Sequence, residues 1–161
     1  MRPSHQMMDL GRYLADEMLM RLARWLRMAG HDVSNPPEGA DDSDLIELAL
    51  AEGRTLLTRD KLLARRCENA GASCLLVRSP HLDEQLSELW AAGVSMKLKP
   101  RPERCTLCNG ILRKVGTRKI DDSSSPVDND DALWRCEVCG KLYWRGAHWQ
   151  GIRERLEGRG R

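Results

Sequence analysis

The residues with the clearest chemistry are four cysteines arranged in two pairs. Each pair has the spacing Cys-x2-Cys, and a glycine follows each pair closely. Glycine tolerates the backbone conformation in which amide groups turn toward a thiolate sulfur. Two such pairs in one chain are typical of a tetrahedral zinc site closed by four thiolates. We therefore predict a structural zinc site whose ligands are Cys105, Cys108, Cys136 and Cys139.

A thiol-redox role is the alternative interpretation of a Cys-x2-Cys pair. A redox motif carries one pair at the start of a helix that follows a strand. Here two pairs lie among turn residues, so zinc is favoured over redox chemistry. The two remaining cysteines, Cys67 and Cys74, are interpreted as small buried hydrophobic residues.

Acidic residues form the second group with possible chemistry. Asp16 follows a short apolar segment, Asp42 and Asp44 open a helical pattern, and Asp60 follows the apolar run at 55–58. Carboxylates that meet at one edge of a sheet repel one another, and a bound cation relieves that repulsion. Oxygen ligands suit Mg²⁺ or Mn²⁺, which activate water against phosphate esters. The structural alternative is a set of helix N-caps, for which Asp is a favoured residue.

Hydrophobic periodicity predicts the elements that must hold these residues. It predicts helices at 17–29, 42–52, 61–70 and 83–92, each followed by a glycine, with short apolar strands between them. Alternating strands and helices over 11–93 predict an open parallel α/β sheet. Ligands of such sheets bind beyond the carboxyl ends of the strands, where the acidic residues fall.

Changes in composition divide the chain into units. We predict an α/β domain at 11–96, a basic, proline-containing linker at 97–104 and a zinc ribbon at 105–150. Residues 1–10 and 151–161 are predicted to be flexible termini. The acidic, serine-rich segment 121–131 within the ribbon is predicted to be a mobile loop.

The overall composition excludes several classes of protein. The 161 residues are 41% hydrophobic and 31% charged, which indicates a globular chain. No apolar run is long enough to cross a bilayer, and the N-terminus lacks the apolar core of a signal peptide. We therefore predict a cytoplasmic protein without a membrane partner. A net charge of +2 favours no class of partner by itself.

Basic and aromatic residues could bind nucleic acid. A predicted exposed stripe of Arg21, Arg24 and Arg27 could steer a polyanion toward the acids, and a merely solvated helix face is the alternative. Aromatic side chains in the ribbon could stack on bases, with basic neighbours on phosphates, or could form the core of the ribbon. The candidate nucleic-acid-binding residues are Arg21, Arg24, Arg59, Lys141, Trp144 and Arg145.

Several blocks of the sequence resemble one known family. YLADEMLMRLARWLRMAGHDV at 13–33, DDSDLIELALAEGRTLLTRDKLLARR at 41–66, and the ribbon segments CTLCNG and WRCEVCGKLYWRGAHW resemble the Mut-seven C-terminal RNase domain family. The resemblance covers about 11–150. It implies a PIN-like three-layer α/β/α domain with a parallel sheet, followed by a small C-terminal zinc ribbon.

The same resemblance implies a ribonuclease that depends on Mg²⁺ or Mn²⁺. Asp16 matches the acid after the first strand, Asp42 with its neighbour Asp44 matches the acid that opens the second helix, and Asp60 matches the acid of the T-x-D turn. PIN nucleases usually show a fourth acid near a later strand end, and Asp83 is the nearest candidate here.

Three functions are compatible with these features. The first is a metal-dependent endoribonuclease, with RNA as substrate and partner. The second is a non-catalytic RNA-binding module, and the third is an adaptor that binds a protein partner through the zinc ribbon. We favour the first, because an inert scaffold has no need of acids at several strand and helix ends.

Overall fold

The computed structural model describes residues 11–117, 132–146 and 148–158. The leader at 1–10, the acidic loop at 121–131 and the last residues of the predicted tail, 159–161, lie outside these ranges. Within the described part of the chain, no helix is both long and apolar enough to span a bilayer.

Strands and helices alternate in the first two thirds of the chain, and a three-stranded unit and a helix follow. The strands are β1 (Arg12–Ala15), β2 (Asp32–Ser34), β3 (Thr55–Thr58), β4 (Cys74–Leu76), β5 (Leu112–Thr117), β6 (Ala132–Cys136) and β7 (Leu142–Trp144). The helices are α1 (Met20–Met28), α2 (Asp42–Glu52), α3 (Lys61–Asn69), α4 (Leu82–Ala91) and α5 (Trp149–Glu157), and a 3-10 turn (Glu17–Leu19) precedes α1.

The first four strands form a parallel sheet in the order β2-β1-β3-β4. In the register of the sheet, Tyr13 of β1 lies opposite Val33 of β2 and Thr55 of β3. All four residues of β3 are buried, as expected for a central strand covered on both faces. The predicted parallel α/β sheet flanked by helices is confirmed.

Helices cover both faces of this sheet and make three layers. Successive strand residues point to opposite faces, and Leu56 and Leu57 of β3 accordingly belong to two different hydrophobic clusters. One cluster joins the sheet to α1, α4 and α5. The other joins it to α2 and α3. The two clusters anchor the helix starts around the carboxyl edge of the sheet, where the acids lie.

The last three strands form a separate antiparallel sheet in the order β5-β6-β7. Its small core contains Trp134, which is only 4% exposed, together with Leu112, Ala132 and the sulfurs of Cys105 and Cys136. For Trp134, the interpretation as ribbon core is therefore the correct one of the two alternatives.

The tail beyond residue 150 differs from the expectation of a flexible terminus. Residues up to Glu157 form α5, and Leu156 is fully buried in the main core, with Trp149 and Ile152 packed against it. These positions recur at helical spacing and give α5 one apolar face. Burial of a leucine side chain contributes about 1.5–3 kcal/mol, which explains why this segment docks on the domain.

The four-cysteine ribbon is attached to the edge strand β2 through Arg27. The sequence pattern placed Arg27 on an exposed stripe, but the structure corrects this, because the side chain is 2% exposed. Its guanidinium donates to the carbonyl of Val33, to Asn35 Oδ1 and, across the seam, to the carbonyl of Thr106. Asn109 of the ribbon in turn accepts the Val33 amide proton at 2.9 Å.

Candidate functional site

Two of the predicted acids meet at the carboxyl ends of neighbouring strands. Asp16 directly follows β1, and Asp60 follows β3 by two residues. Thr58, which is fully buried, joins them. Its hydroxyl donates to Asp16 Oδ2 at 2.8 Å and accepts the backbone amide proton of Asp60 at 3.0 Å. The three residues form one hydrogen-bonded unit, which we call the acidic crevice.

The acidic crevice lies where the chain switches direction within the sheet. The connection from β1 leads to β2 on one side, and the connection from β3 leads to β4 on the other. The helices of these two connections, α1 and α3, belong to opposite faces of the sheet. Open α/β sheets bind ligands at such a point, because diverging loops leave a cleft there.

Both acids of the crevice also cap helix starts. Asp16 Oδ1 accepts the amide proton of Glu17 at 2.7 Å. Asp60 is the N-cap of α3, and its Oδ1 accepts the amide protons of Leu62 and Leu63. Each carboxylate oxygen offers two acceptor sites, so capping leaves capacity for a cation. Asp60 Oδ2 in particular accepts neither of the capping hydrogen bonds.

The acids at the start of α2 are occupied differently. Asp41 is the N-cap of α2, and its side chain and that of Asp44 exchange hydrogen bonds with each other's backbone amides. Asp42 forms an ion pair with Arg66 of α3 at 3.4 Å, and both side chains are about 40% exposed. An exposed pair of this kind contributes only about 0–1 kcal/mol, so Asp42 can exchange Arg66 for another ligand at small cost.

The residues of the crevice fit a hard cation held by few protein ligands. Among the described residues, no three carboxylates lie close enough together to enclose a metal ion by themselves. Mg²⁺ is commonly bound by one or two carboxylates, several waters and phosphate oxygens of the substrate. Asp16 and Asp60 are two carboxylates that could serve in this way.

Four cysteines form a candidate zinc centre in the ribbon. Their sulfur atoms all lie within 4.8 Å of one another. The distances are 3.7 Å from Cys105 Sγ to Cys139 Sγ and 3.4 Å from Cys108 Sγ to Cys136 Sγ. A tetrahedral zinc with Zn–S bonds of about 2.3 Å requires sulfur–sulfur distances of about 3.8 Å. The site could therefore hold zinc, with all four coordination positions filled by protein.

The surroundings act unequally on the sulfurs: burial raises the pKa of Cys108 to about 12, whereas the pKa values of Cys105 and Cys136 are lowered. Burial alone would raise the pKa of Cys136, but the backbone amides of Cys139 and Val138, which donate to its sulfur, lower the pKa to about 6. Tyr143 contributes from β7, with its hydroxyl 3.0 Å from Cys105 Sγ and within hydrogen-bonding distance of the Thr106 amide. Such outer contacts orient metal ligands and favour their deprotonated form.

Two of the predicted nucleic-acid-binding residues are turned back onto the ribbon. The guanidinium of Arg145 lies 6.0 Å from the centre of the Trp134 ring and donates to the carbonyl of Pro100. The ammonium of Lys141 lies 5.2 Å from the centre of the Tyr143 ring. Trp144 is 42% exposed. Contact between these ribbon residues and nucleic acid therefore stays a prediction.

The other basic candidates lie on the α/β domain. Arg21 and Arg24 are exposed on α1. Arg59 separates β3 from Asp60, and its buried Nε has no hydrogen-bond partner among the described residues. Asp83, the candidate fourth acid, forms an ion pair with Arg155 of α5 at 2.8 Å.

Sequence reasoning missed the residues that attach the ribbon to the domain. Asp32 is their centre, because its carboxylate accepts hydrogen bonds from Arg54 at 2.8 Å and from Asn109 at 2.7 Å. Asn109 has a positive φ of 69°, a conformation that asparagine tolerates better than most residues. The Asn-Gly pair after Cys108 indicates a turn in the sequence. It does not reveal the partner of Asn109, because Asp32 lies 77 residues away in the sequence.

The fold and the two sites together define an α/β domain with a parallel four-stranded sheet, an acidic crevice and a four-cysteine ribbon. A model of the Mut7-C RNAse domain family matches residues 11–156, which is nearly the whole chain. The chain therefore belongs to the Mut7-C RNAse domain family, as its sequence blocks predicted. No solved structure matches it with significance.

Proposed function

We propose that the protein is a metal-dependent ribonuclease that hydrolyses RNA phosphodiester bonds in the acidic crevice. The observation that carries the proposal is the unit of Asp16, Thr58 and Asp60 at the switch point of the sheet. Membership of the Mut7-C RNAse domain family supports nuclease activity in general. The metal, its acidic ligands and the endonucleolytic mode are part of the proposal, and the geometry of Asp16, Thr58 and Asp60 supports the first two.

Asp16 and Asp60 would hold Mg²⁺ or Mn²⁺, and Asp42 would join them when it leaves Arg66. When bound, the metal supplies a Lewis acid for the phosphate and a water of lowered pKa. In the hydrolysis that this would support, a water oxygen would bond to phosphorus as the bond to the leaving ribose oxygen breaks. The attacking water would give up one proton to solvent, and the leaving oxygen would take one up. No covalent enzyme intermediate is required.

The remaining residues of the crevice bind and orient. Thr58 fixes the direction of the Asp16 carboxylate, and capping bonds fix Asp60, so neither acid must be ordered when substrate arrives. Arg59 offers a cation beside the acids, with a buried Nε that lacks a partner in the described part of the chain. Arg21 and Arg24 extend positive charge along α1 for the RNA backbone.

The first experiment is cleavage of a labelled RNA pool by purified protein with Mn²⁺, Mg²⁺ or EDTA. The test variant is Asp16→Asn/Asp60→Asn, since asparagine keeps the capping ability of aspartate. We expect loss of metal-dependent cleavage on the order of 10³-fold or more, because metal-held phosphate contributes several kcal/mol to the transition state. Asp83→Asn is the matched control and should cleave like the wild type.

The second candidate function is a non-catalytic RNA-binding module. It is favoured by one observation: Asp16, Asp44 and Asp60 each serve as a helix cap or as the partner of one. Absence of metal-dependent cleavage, with RNA binding retained, would support this function. Equal cleavage by the wild type and the double variant would point to a contaminating nuclease and contradict the proposed site.

A further inference from the structure

A cavity of about 330 Å³ lies at the seam between the ribbon and the α/β domain. Its walls come from the C-terminal end of α1, the first cysteine turn, β7 and the start of α5. The volume is at the lower end of the range for small-molecule sites. We call it the seam cavity, and its aromatic and basic lining residues include Arg104, Lys141, Tyr143, Trp144 and Trp149.

The lining combines ring faces with one unsatisfied donor. Tyr143 and Trp149 are half-buried, and Trp144 is exposed. The indole Nε1 of Trp149 is buried and has no hydrogen-bond partner in the described ranges. A buried donor without a partner costs about 1–3 kcal/mol, a cost that would be removed when the indole turns to meet an acceptor of a ligand in the cavity.

The charged residues that line the cavity differ in whether they are free to bind a ligand. Arg27 is committed to three backbone and side-chain acceptors, and Arg104 donates to the carbonyl of Asn109. Lys141 is exposed and rests over the Tyr143 ring. A ligand with a flat aromatic ring, acceptors on its edge and an attached anion matches this set of groups. Nucleobases carry both the ring face and the acceptors, and the nucleotide phosphate supplies the anion.

The seam cavity is connected to the acidic crevice by α1. Asp16 and the 3-10 turn precede the first residue of α1, while Arg27 and Met28, at the other end of α1, line the cavity. The eight-residue rise from Met20 to Met28 spans about 12 Å. Arg21 and Arg24 lie exposed on α1 between the two sites. The length of α1 leaves room for a few nucleotides of a single strand whose phosphates follow the helix.

We propose that the seam cavity binds one unpaired nucleobase of the RNA that is cut in the acidic crevice. The inference rests on the proposed ribonuclease function and adds a recognition site to it. Paired bases have their edges and faces buried in the duplex, so they cannot enter a cavity of this size. The protein accordingly selects RNA with a single-stranded stretch beside the cleaved bond.

The test is the affinity of zinc-loaded protein for labelled RNA in magnesium-free buffer, measured by fluorescence anisotropy. The two variants are Lys141→Ala, at an exposed side chain, and Trp149→Phe, which keeps a ring and removes the donor. Each should weaken binding of a single-stranded RNA about five- to tenfold. The matched controls are Lys97→Ala and Trp90→Phe, which are exposed and outside the cavity, and should bind within twofold of the wild type.

Two further probes show whether the bound base comes from single-stranded RNA, from a duplex or from a free nucleotide. A blunt duplex should bind the wild type at least tenfold more weakly than the single strand and should not respond to Lys141→Ala. A 5′-mononucleotide should bind far more weakly than the single strand. A mononucleotide that binds as tightly as RNA would overturn the proposal in favour of a free nucleotide site.

Binding and cleavage fail in distinguishable ways. If both variants bind single-stranded RNA as tightly as the wild type, the proposed base-binding role of the seam cavity is wrong, even where the wild type cleaves RNA. Loss of single-strand affinity in both variants supports the cavity, even where the wild type does not cleave. In cleaving protein, Lys141→Ala should raise KM for single-stranded RNA about five- to tenfold with little change in kcat, and an unchanged KM contradicts the proposal.

Discussion

Thr58 is the side chain that makes the two acids of the crevice into one site. A hydroxyl carries one proton to donate and two positions to accept, and Thr58 uses it toward Asp16 and the Asp60 amide at once. It is fully buried, so water does not replace these bonds. Thr58 is thus a positioning residue for the proposed nuclease, acting through the acids.

Thr58→Val keeps the shape of the side chain and removes the hydroxyl. The Asp60 amide and the Asp16 carboxylate then lose a buried partner, which should cost about 1–3 kcal/mol of unfolding free energy. The freed Asp16 carboxylate should also bind Mn²⁺ more weakly. Thermal unfolding with and without Mn²⁺ measures both effects, the second as a smaller metal-induced shift in Tm.

Thr58→Ser is the conservative control, because it retains the hydroxyl and loses only a buried methyl group. It should be destabilised by about 1 kcal/mol and keep the metal-induced shift of the wild type. An equal loss of that shift in both variants would show that Thr58 acts through packing alone.

At the residue scale, the two interpretations of the acids in the sequence are compatible. Asp60 caps α3 through Oδ1 and still has a second carboxylate oxygen for a cation. Residue type and spacing therefore predict where Asp16 and Asp60 lie, but not which oxygen is occupied. Which oxygen of Asp16 is occupied depends on Thr58. Its hydroxyl donates a hydrogen bond to Asp16, which lies 42 positions away in the sequence.

Among the elements, the two cysteine turns show how closely the backbone must approach the metal ligands. A side chain at Gly110 would place its Cβ 2.6 Å from Cys136 Sγ and 3.0 Å from Val138 Cγ2. Such contacts are far inside normal packing distances, and both neighbours belong to the second cysteine turn. The glycine after the first pair is therefore needed for space, in addition to the turn geometry that its type predicted.

Gly110→Ala should push Cys136 out of the tetrahedral arrangement and lower zinc affinity by about 10–100-fold. Competition with a chromophoric chelator measures this, and the thiolate-to-metal absorption of the cobalt-substituted protein reports the geometry. Gly140→Ala is the matched control, since nothing lies within 4 Å of a Cβ there, although its φ of +78° adds backbone strain of about 1–2 kcal/mol. Equal zinc loss in both variants would contradict the steric argument.

The elements of the α/β domain begin and end close to where periodicity and glycines predict. Helix α5 is the exception, because residues 151–161 are mostly charged and glycine residues and were predicted to be a flexible terminus. A short amphipathic helix is stable only when a surface is available for its apolar face. That surface is the main core beside α1 and α4, which the tail pattern alone does not reveal.

For the molecule as a whole, Asp32 joins the ribbon to the α/β domain. Its carboxylate is 18% exposed, and its Oδ1 accepts hydrogen bonds from both Arg54 and Asn109, with Arg104 at 3.8 Å from Oδ2. Burial alone would raise the pKa of Asp32, but hydrogen bonds from Arg54 and Asn109 hold it below its ordinary value. The ionised carboxylate is therefore the form that stabilises the folded protein.

Asp32→Asn should lower the unfolding free energy at pH 7 by about 1–3 kcal/mol, because bonds to a charged group are replaced by neutral ones. A group with a lowered pKa stabilises the fold above its unfolded pKa and loses that effect only as pH falls through the folded value. The deficit relative to wild type should thus be constant between pH 6 and 8. Urea unfolding of zinc-loaded protein at both ends of that range measures it.

The exposed Asp83, paired with Arg155, provides the comparison for Asp32. Asp83→Asn should cost no more than about 1 kcal/mol, as is usual for an exposed ion pair. A deficit in Asp32→Asn that shrinks toward pH 6 would assign the effect to a group that titrates near neutrality.

The sequence by itself determined the alternation of strands and helices, the cluster of four cysteines, the acids at strand ends and the family. These features are local, because periodicity, capping residues and Cys-x2-Cys spacing act within one or two turns of chain. Tertiary structure decided which acids meet, that Asp42 pairs with Arg66, that Arg27 is buried, and that a cavity opens beside α5. Each of these depends on contacts between segments far apart in sequence, which only the packed sheet and the docked ribbon bring together.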